Sequence, residues 1–276
     1  MVRLSPCRAA ILLMTVFALA GPSAFAEEVS SIRLVSGPSY APLVGSGLPD
    51  GGMLSRIVRA SFAAAGLNTR PVVFEPWLRG LEGTAAGRYD ATFPYQVTDA
   101  RLKRFIFSDP LIEVKTVAVF TVQSGREYKS PESVRGLRLC NPLGFALNRA
   151  VSALVQSGDV EEILSPDVES CLRMMLHGRL DVFIGNEFLV RHALACTPGG
   201  REGLSYAGQP VGHTPLHLAV PMDRPNAKAL VDAFNKGLAQ LRATGEWQRI
   251  IDAYPMGTED CLEEEPADPL RAPPPA

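Results

Sequence analysis

The sequence predicts an α/β fold in two lobes, joined by two crossings of the chain and enclosing a cleft. Three observations support this reading. Strand and helix patterns alternate from residue 31 to residue 95, a second alternation begins at Leu137, and two long β-rich runs bracket that second unit. Alternation of this kind builds mostly parallel sheets, and a chain that leaves a domain and returns to it makes a two-crossing hinge.

The elements follow in order. Ser31-Ile32-Arg33-Leu34-Val35-Ser36 alternates as a strand, and Gly37-Pro38-Ser39-Tyr40-Ala41-Pro42 ends it in a loop, with Tyr40 just past the strand. Residues 53–66 read as an amphipathic helix, with Leu54, Ile57, Val58, Ser61 and Phe62 near helical spacing and Gly66 as its C-cap. A strand at 71–74, a helix at 78–86 and a strand at 91–95 complete the first alternation. Thr98-Asp99 then opens a short helix, because the Thr hydroxyl accepts from an orphan N–H and Asp99 suits the positive end of the dipole. This puts Arg101 in a first helical turn at the end of a strand, where open α/β sheets bind ligands and a guanidinium can grip a carboxylate with two hydrogen bonds.

The run Lys115-Thr116-Val117-Ala118-Val119-Phe120-Thr121-Val122 is the first crossing. Strands at 137–140, 160–164 and 181–184 alternate with helices at 145–157 and 170–176. The run at 215–221 is the second crossing, and helices at 226–245 and 246–254 follow. The expected division is residues 27–121 with 218–256 in one lobe and residues 122–217 in the other.

With 276 residues and 46% hydrophobic content the chain can bury a substantial core. Residues 1–26 carry Arg3 and Arg8, then an apolar run, then Ala24-Phe25-Ala26, the pattern of a cleavable secretory signal. Their removal leaves 25 basic residues against 29 acidic ones, a net charge of −4. That mild balance argues against nucleic acid or an anionic membrane as partner. Cys140, Cys171, Cys196 and Cys261 remain; an even number in an exported chain favours disulfides, and the four have neither a C-x-x-C spacing nor a nearby H-x-x-x-H to suggest a metal. Cys140 and Cys171 each fall at a strand end or helix start of one region and are the favoured pair, with Cys196 and Cys261 left for a second. Residues 257–276 are acidic and proline-rich and are expected to be disordered.

Several segments, taken as an ordered set, resemble the extracellular solute-binding proteins of family 3, the periplasmic receptors of polar amino-acid ABC transporters. They are Tyr40-Ala41-Pro42, Trp77 with Leu81, Gly87-Arg88-Tyr89-Asp90, Thr98-Asp99-Ala100-Arg101, Phe107-Ser108-Asp109-Pro110, Gly178-Arg179-Leu180-Asp181 and Gly245-Glu246-Trp247. The resemblance implies a two-lobed periplasmic binding protein of type II, working as a monomer, without cofactor or metal, and handing a small ligand to an ABC permease. It gives Arg101 the ligand carboxylate and makes Tyr40 and Trp77 aromatic walls.

The chain also departs from that family's pattern. Phe93-Pro94-Tyr95-Gln96 stands where small hydroxyl residues are usual, so Tyr95 and Gln96 are expected on the pocket floor. Asn186 falls where an aspartate would hold an α-ammonium, and it offers an acceptor without charge; adjacent Glu187 is the alternative source of charge. Gly144-Phe145 replaces a Gly-Thr at a helix start, placing Phe145 at a helix N-terminus over the ligand. An acid lacking the ammonium, or an aromatic or cationic ligand, is then as open as an ordinary amino acid. A sensor or redox module on the same fold is one alternative, and a cyclohexadienyl dehydratase-like enzyme using Glu187 is the other. No G-x-S-x-G or H-E-x-x-H supports an enzyme. Asp90 and Asp181, each closing a Gly-Arg-x-Asp phrase before a strand, are expected to tie down local backbone N–H groups.

Overall fold

The computed structural model describes residues 31–254. The signal-peptide, tail and Cys261 expectations therefore lie outside the described residues. In the first unit β1 (Leu34–Ser36) is followed by a hairpin of β2 (Ser39–Tyr40) and β3 (Val44–Gly45), then α1 (Met53–Ala64), β4 (Val73–Phe74), α2 (Trp77–Ala85), β5 (Ala91–Tyr95), α3 (Asp99–Leu102) and β6 (Phe105–Phe107). A long strand, β7 (Ile112–Thr121), leads to β8 (Arg138–Pro142), α4 (Arg149–Gln156), β9 (Glu161–Ser165), α5 (Val168–Leu176), β10 (Val182–Asn186), α6 (Glu187–Cys196), α7 (Gly200–Gly203) and β11 (Leu204–Ser205). A second long strand, β12 (Gly212–Pro221), returns the chain to α8 (Ala227–Ala243) and α9 (Glu246–Asp252).

One hydrogen-bonded path runs β4-β1-β5-β12-β7-β10-β8-β9. Its two ends are parallel: β4, β1 and β5 at one, and β10, β8 and β9 at the other. The middle is antiparallel. Gly212–Leu216 of β12 pairs with Thr116–Ile112 of β7, and β7 from Thr116 onward pairs with β10. Beyond Leu216, β12 turns to β5 and β6, with His217 opposite Tyr95 and Ala219 opposite Phe107. The two crossings thus lie side by side: β7 pairs with β12 at its start and with β10 from Thr116 onward, while β12 begins on β7 and ends in the sheet of β5 and β6. The lobe limits at 121/122 and 217/218 stand as a proposal for how this framework divides.

Each unit has its own core. In the first, α1 turns Met53, Leu54, Ile57, Val58 and Phe62 inward against Phe234 and Leu238 of α8, and the Phe62 and Phe234 rings sit 4.8 Å apart. In the second, α5 and α6 cover β7, β8 and β10 around Phe183, Leu172 and Val190, while Phe120, Leu139 and Val151 form a separate cluster on the other side. A disulfide joins Cys140 on β8 to Cys171 on α5, with 5.7 Å between Cα atoms.

The two aspartates act over a longer range than expected. Asp90 accepts from the backbone N–H of Arg33 at 2.8 Å and from its guanidinium at 3.0 and 3.1 Å, and that guanidinium also donates to the Gly87 carbonyl. Asp181 does the same with Arg138 and Gly178. The bond runs from the helix-to-strand turn to the first strand of each unit, because parallel pairing of β1 with β5, and of β8 with β10, brings those ends together.

At the hinge side, His217 is 8% exposed and its Nδ1–H donates to the Ser108 carbonyl at 2.7 Å. The Ser108 hydroxyl accepts from Leu218 N–H, and Asp109 N–H donates to Asn235. Burial pushes the His217 pKa below 6.5, although the Ser108 contact and nearby Asp109 oppose the shift. The neutral ring therefore contributes stability that is full above the unfolded-state pKa and is lost as pH falls toward the folded value, because the unfolded chain takes up the proton first. Melting temperature is expected to fall between about pH 7 and pH 5, and less steeply in His217→Asn; equal slopes in a calorimetric pH series would contradict this assignment.

Candidate functional site

A cavity of about 80 Å³ opens where the two units face each other, bounded by Tyr40, Trp77, Tyr95, Gln96 and Arg101 on one side and Gly144, Phe145, Ala146, Asn148 and Asn186 on the other. At roughly 10–15 Å³ per water on this measure, that is room for a small molecule only. The crossings form its back wall through Val114, Thr116, Thr214 and Leu216. The sequence reading did not single these out, although a cleft between two lobes must be floored by the strands that join them. Thr116 and Thr214 hydrogen-bond each other at 2.8 Å.

Arg101 is placed by α3, whose start is fixed by Thr98, the hydroxyl accepting from Arg101 N–H at 3.2 Å. Its guanidinium donates to the Gln96 carbonyl at 3.0 Å and, across the cleft, to the Gly144 carbonyl at 2.9 Å. The group also lies 4.7 Å from the Tyr95 ring centroid, within cation–π range. Two of its five N–H donors are thereby used. Among the described residues no carboxylate pairs with it. Burial lowers its pKa from the ordinary guanidinium value, with the Tyr95 and Tyr40 hydroxyls opposing the shift.

The aromatic walls meet edge to face. Tyr40 and Trp77 are 5.4 Å apart, Trp77 and Tyr95 5.8 Å, and Phe145 reaches across to Tyr40 at 6.0 Å and Trp77 at 6.1 Å. The Tyr95 hydroxyl donates to the Trp77 carbonyl at 3.0 Å. The Trp77 indole lies directly on Gly37 at the end of β1, where any added Cβ would fall 2.1 Å from the ring. Burial pushes the pKa of both Tyr40 and Tyr95 up to about 12, so both phenols keep their protons.

Three expectations need correction. Phe145 does not start a helix: α4 begins at Arg149, where Asn148 caps it by accepting from Val151 N–H at 2.8 Å, and residues 143–147 form a loop. The asparagine followed by an Ala-Val-Leu pattern was the available signal. Gln96 does not keep its amide free for a ligand, since its Nε2 donates across the cleft to the Ala146 carbonyl. Glu187 is absent from the cavity wall. It begins α6 and turns to Arg191 at 2.8 Å and Lys115 at 3.4 Å. Burial pushes its pKa up, but those cations outweigh it and hold the carboxyl below its usual range. A buried acid–base role for it is therefore not supported.

Asn186 also differs from expectation in what it offers. It is 5% exposed, and its Oδ1 accepts from Leu189 N–H at 2.8 Å, capping α6. The acceptor is used by the fold. What is left over is Nδ2, buried and without a hydrogen-bond partner.

The comparisons agree with this architecture. Residues 32–258 match the model of the bacterial extracellular solute-binding proteins, family 3, and the chain belongs to that family. It is 25% identical over 169 residues to the ABC transporter arginine-binding protein 1 of Escherichia coli (strain K12), a match covering 60% of this chain and 66% of that protein. An ancestral arginine-binding protein bound to arginine superposes with a TM-score of 0.68 at 17% identity, over 81% of this chain and 97% of the other. A histidine kinase sensor domain similar to periplasmic binding proteins gives 0.69 at 17% identity, over 82% and 96%. At such identities the structural likeness shows the fold alone.

Gly144 lies against the first unit. At φ +86° an added Cβ would stand 2.9 Å from both Leu78 N and Trp77 Cβ. Gly144→Ala is expected to penalise the closed arrangement by about 1–2 kcal/mol from the left-handed backbone alone, giving a larger radius of gyration in small-angle scattering and a lower melting temperature. A variant unchanged in both would show that the loop does not close here.

Proposed function

We propose that this family 3 protein is a periplasmic receptor that captures a small, carboxylate-bearing ligand by cleft closure and delivers it to an ABC transporter permease as a monomer. One observation carries the reading: the partly buried guanidinium of Arg101 faces an aromatic-lined cavity between the lobes with three donors unused and no carboxylate beside it among the described residues. The curated arginine-binding relative and the family's common role support delivery to a transporter. No helix among the described residues is long and apolar enough to cross a membrane, in keeping with an exported receptor.

In this reading the ligand first meets Arg101, Tyr40 and Trp77, which β1, α2 and α3 hold on one lobe. Rotation about β7 and β12 then brings Phe145, Ala146 and Asn186 over it. The bonds from Arg101 to the Gly144 carbonyl and from Gln96 to the Ala146 carbonyl latch the two sides directly, so the ligand need not supply every closing contact. A charge-assisted hydrogen bond contributes about 1.5–3 kcal/mol, and a micromolar constant corresponds to about −8 kcal/mol. A carboxylate on Arg101 with two or three further bonds is sufficient.

A ligand at one hundred times its dissociation constant adds about 2.7 kcal/mol of stability, which for a chain of this size raises the melting temperature by roughly 5–10 °C. In a thermal-shift screen of amino acids, amines and small carboxylates, at least one acid should produce that shift with the wild type and none with Arg101→Ala. An undiminished shift in the variant would remove Arg101 from the ligand site.

A further inference from the structure

We propose that the ligand is an acid without an α-ammonium: one that presents a hydroxyl, carbonyl or second carboxylate oxygen, an acceptor, to Asn186. This rests on the carboxylate-receptor reading above and narrows its ligand class.

A primary ammonium brings a positive charge and three donors, and in a cavity shielded from water it needs acceptors, best of all a carboxylate. No aspartate or glutamate lines this cavity. Glu187, next in sequence to Asn186, is tied to Arg191 and Lys115, and Asp99 is an exposed partner of Arg149. The one full charge on the wall is the cation of Arg101. An ammonium bound beside it would meet repulsion with no carboxylate on the wall to offset it.

The polarity of Asn186 points the same way. An amide is planar, with its acceptor on one edge and its donors on the other. Because Oδ1 is held by the α6 N-terminus at 2.8 Å from Leu189 N, the donor edge is the one left for the cavity that Asn186 lines. The Tyr40 hydroxyl lies close to this amide, which lowers the Tyr40 pKa against the larger effect of burial, but the contact lacks hydrogen-bond geometry and leaves Nδ2 without a partner. A buried donor left unpaired costs about 1–3 kcal/mol. A ligand oxygen removes that cost, whereas an ammonium would set donor against donor.

The arrangement is thus a cationic carboxylate clamp at one end, a neutral donor at the other and aromatic rings between. Small 2-hydroxy acids, 2-oxo acids and dicarboxylates fit it. Amino acids of the same skeleton do not.

The test is titration calorimetry on the purified protein with matched sets sharing one carbon skeleton: L-alanine, L-lactate and pyruvate; L-phenylalanine, L-phenyllactate, phenylpyruvate and 3-phenylpropionate; and L-arginine with its deaminated 2-oxo acid. An amine-free acid binding at least tenfold tighter than its amino counterpart is the expected result. Asn186→Asp should reverse that ratio, since aspartate caps a helix as well as asparagine does while turning an acceptor toward the cavity. An amino acid binding as tightly as its amine-free counterparts overturns the inference and leaves the carboxylate receptor standing. If no acid of either kind binds, the receptor reading falls, and the inference falls with it.

Discussion

A partly buried cation with no counter-ion among the described residues is the constraint on which the rest of this molecule depends. Taking a guanidinium out of water costs several kcal/mol even after relaxation. Here two backbone carbonyls and the face of Tyr95 return part of that cost. Burial lowers the Arg101 pKa, yet a guanidinium is so weak an acid that it stays charged at physiological pH. The unsatisfied remainder is available to an incoming anion. The residues around it, from the Thr98 cap that sets its direction to the indole lying on Gly37, keep that charge in place.

The frame that holds it is built twice. The Arg33–Asp90–Gly87 and Arg138–Asp181–Gly178 clusters repeat donor by donor in the two units, each pinning the first strand to the turn before the third element of its sheet. The repeat does not extend to the cleft. The first unit contributes the charge and three rings; the second contributes Phe145, Asn186 and the carbonyls of Gly144 and Ala146. Equivalent scaffolds can carry unlike faces because the site residues sit at strand ends, in loops and in the short helices α2 and α3, at the rim of each core.

Much of this was legible from the residues. Strand and helix periods marked the α/β order, the two β-rich runs marked β7 and β12, and the Thr-x-x-Arg phrase marked the cation. Tyr40, Trp77, Tyr95, Gln96, Arg101, Phe145 and Asn186 do line one cavity, whatever ligand tests later assign to each. The failures have a common cause. Short apolar stretches such as residues 145–157 do not state where a helix begins, and only the cap does; Asn148 and Asn186 each start a helix that hydrophobic spacing alone misplaces or passes over. The Gln96 latch could not be read at all, because its partner is a backbone carbonyl 50 residues away.

Asn186 shows why a cap in this position decides more than local structure. The first turn of α6 needs an oxygen, which restricts the residue to a short polar side chain such as Asn, Asp, Ser or Thr. Once that oxygen is bound, the identity of the second terminal atom is free of the fold and fully exposed to selection by the ligand. With oxygen there, the cavity would hold a negative charge opposite Arg101 and suit a zwitterion; with nitrogen there, it holds a second donor and suits an ion of one sign. The folding requirement and the recognition requirement fall on different atoms of one amide. That separation lets a binding protein exchange one ligand class for another while its helix, sheet and hinge stay as they are.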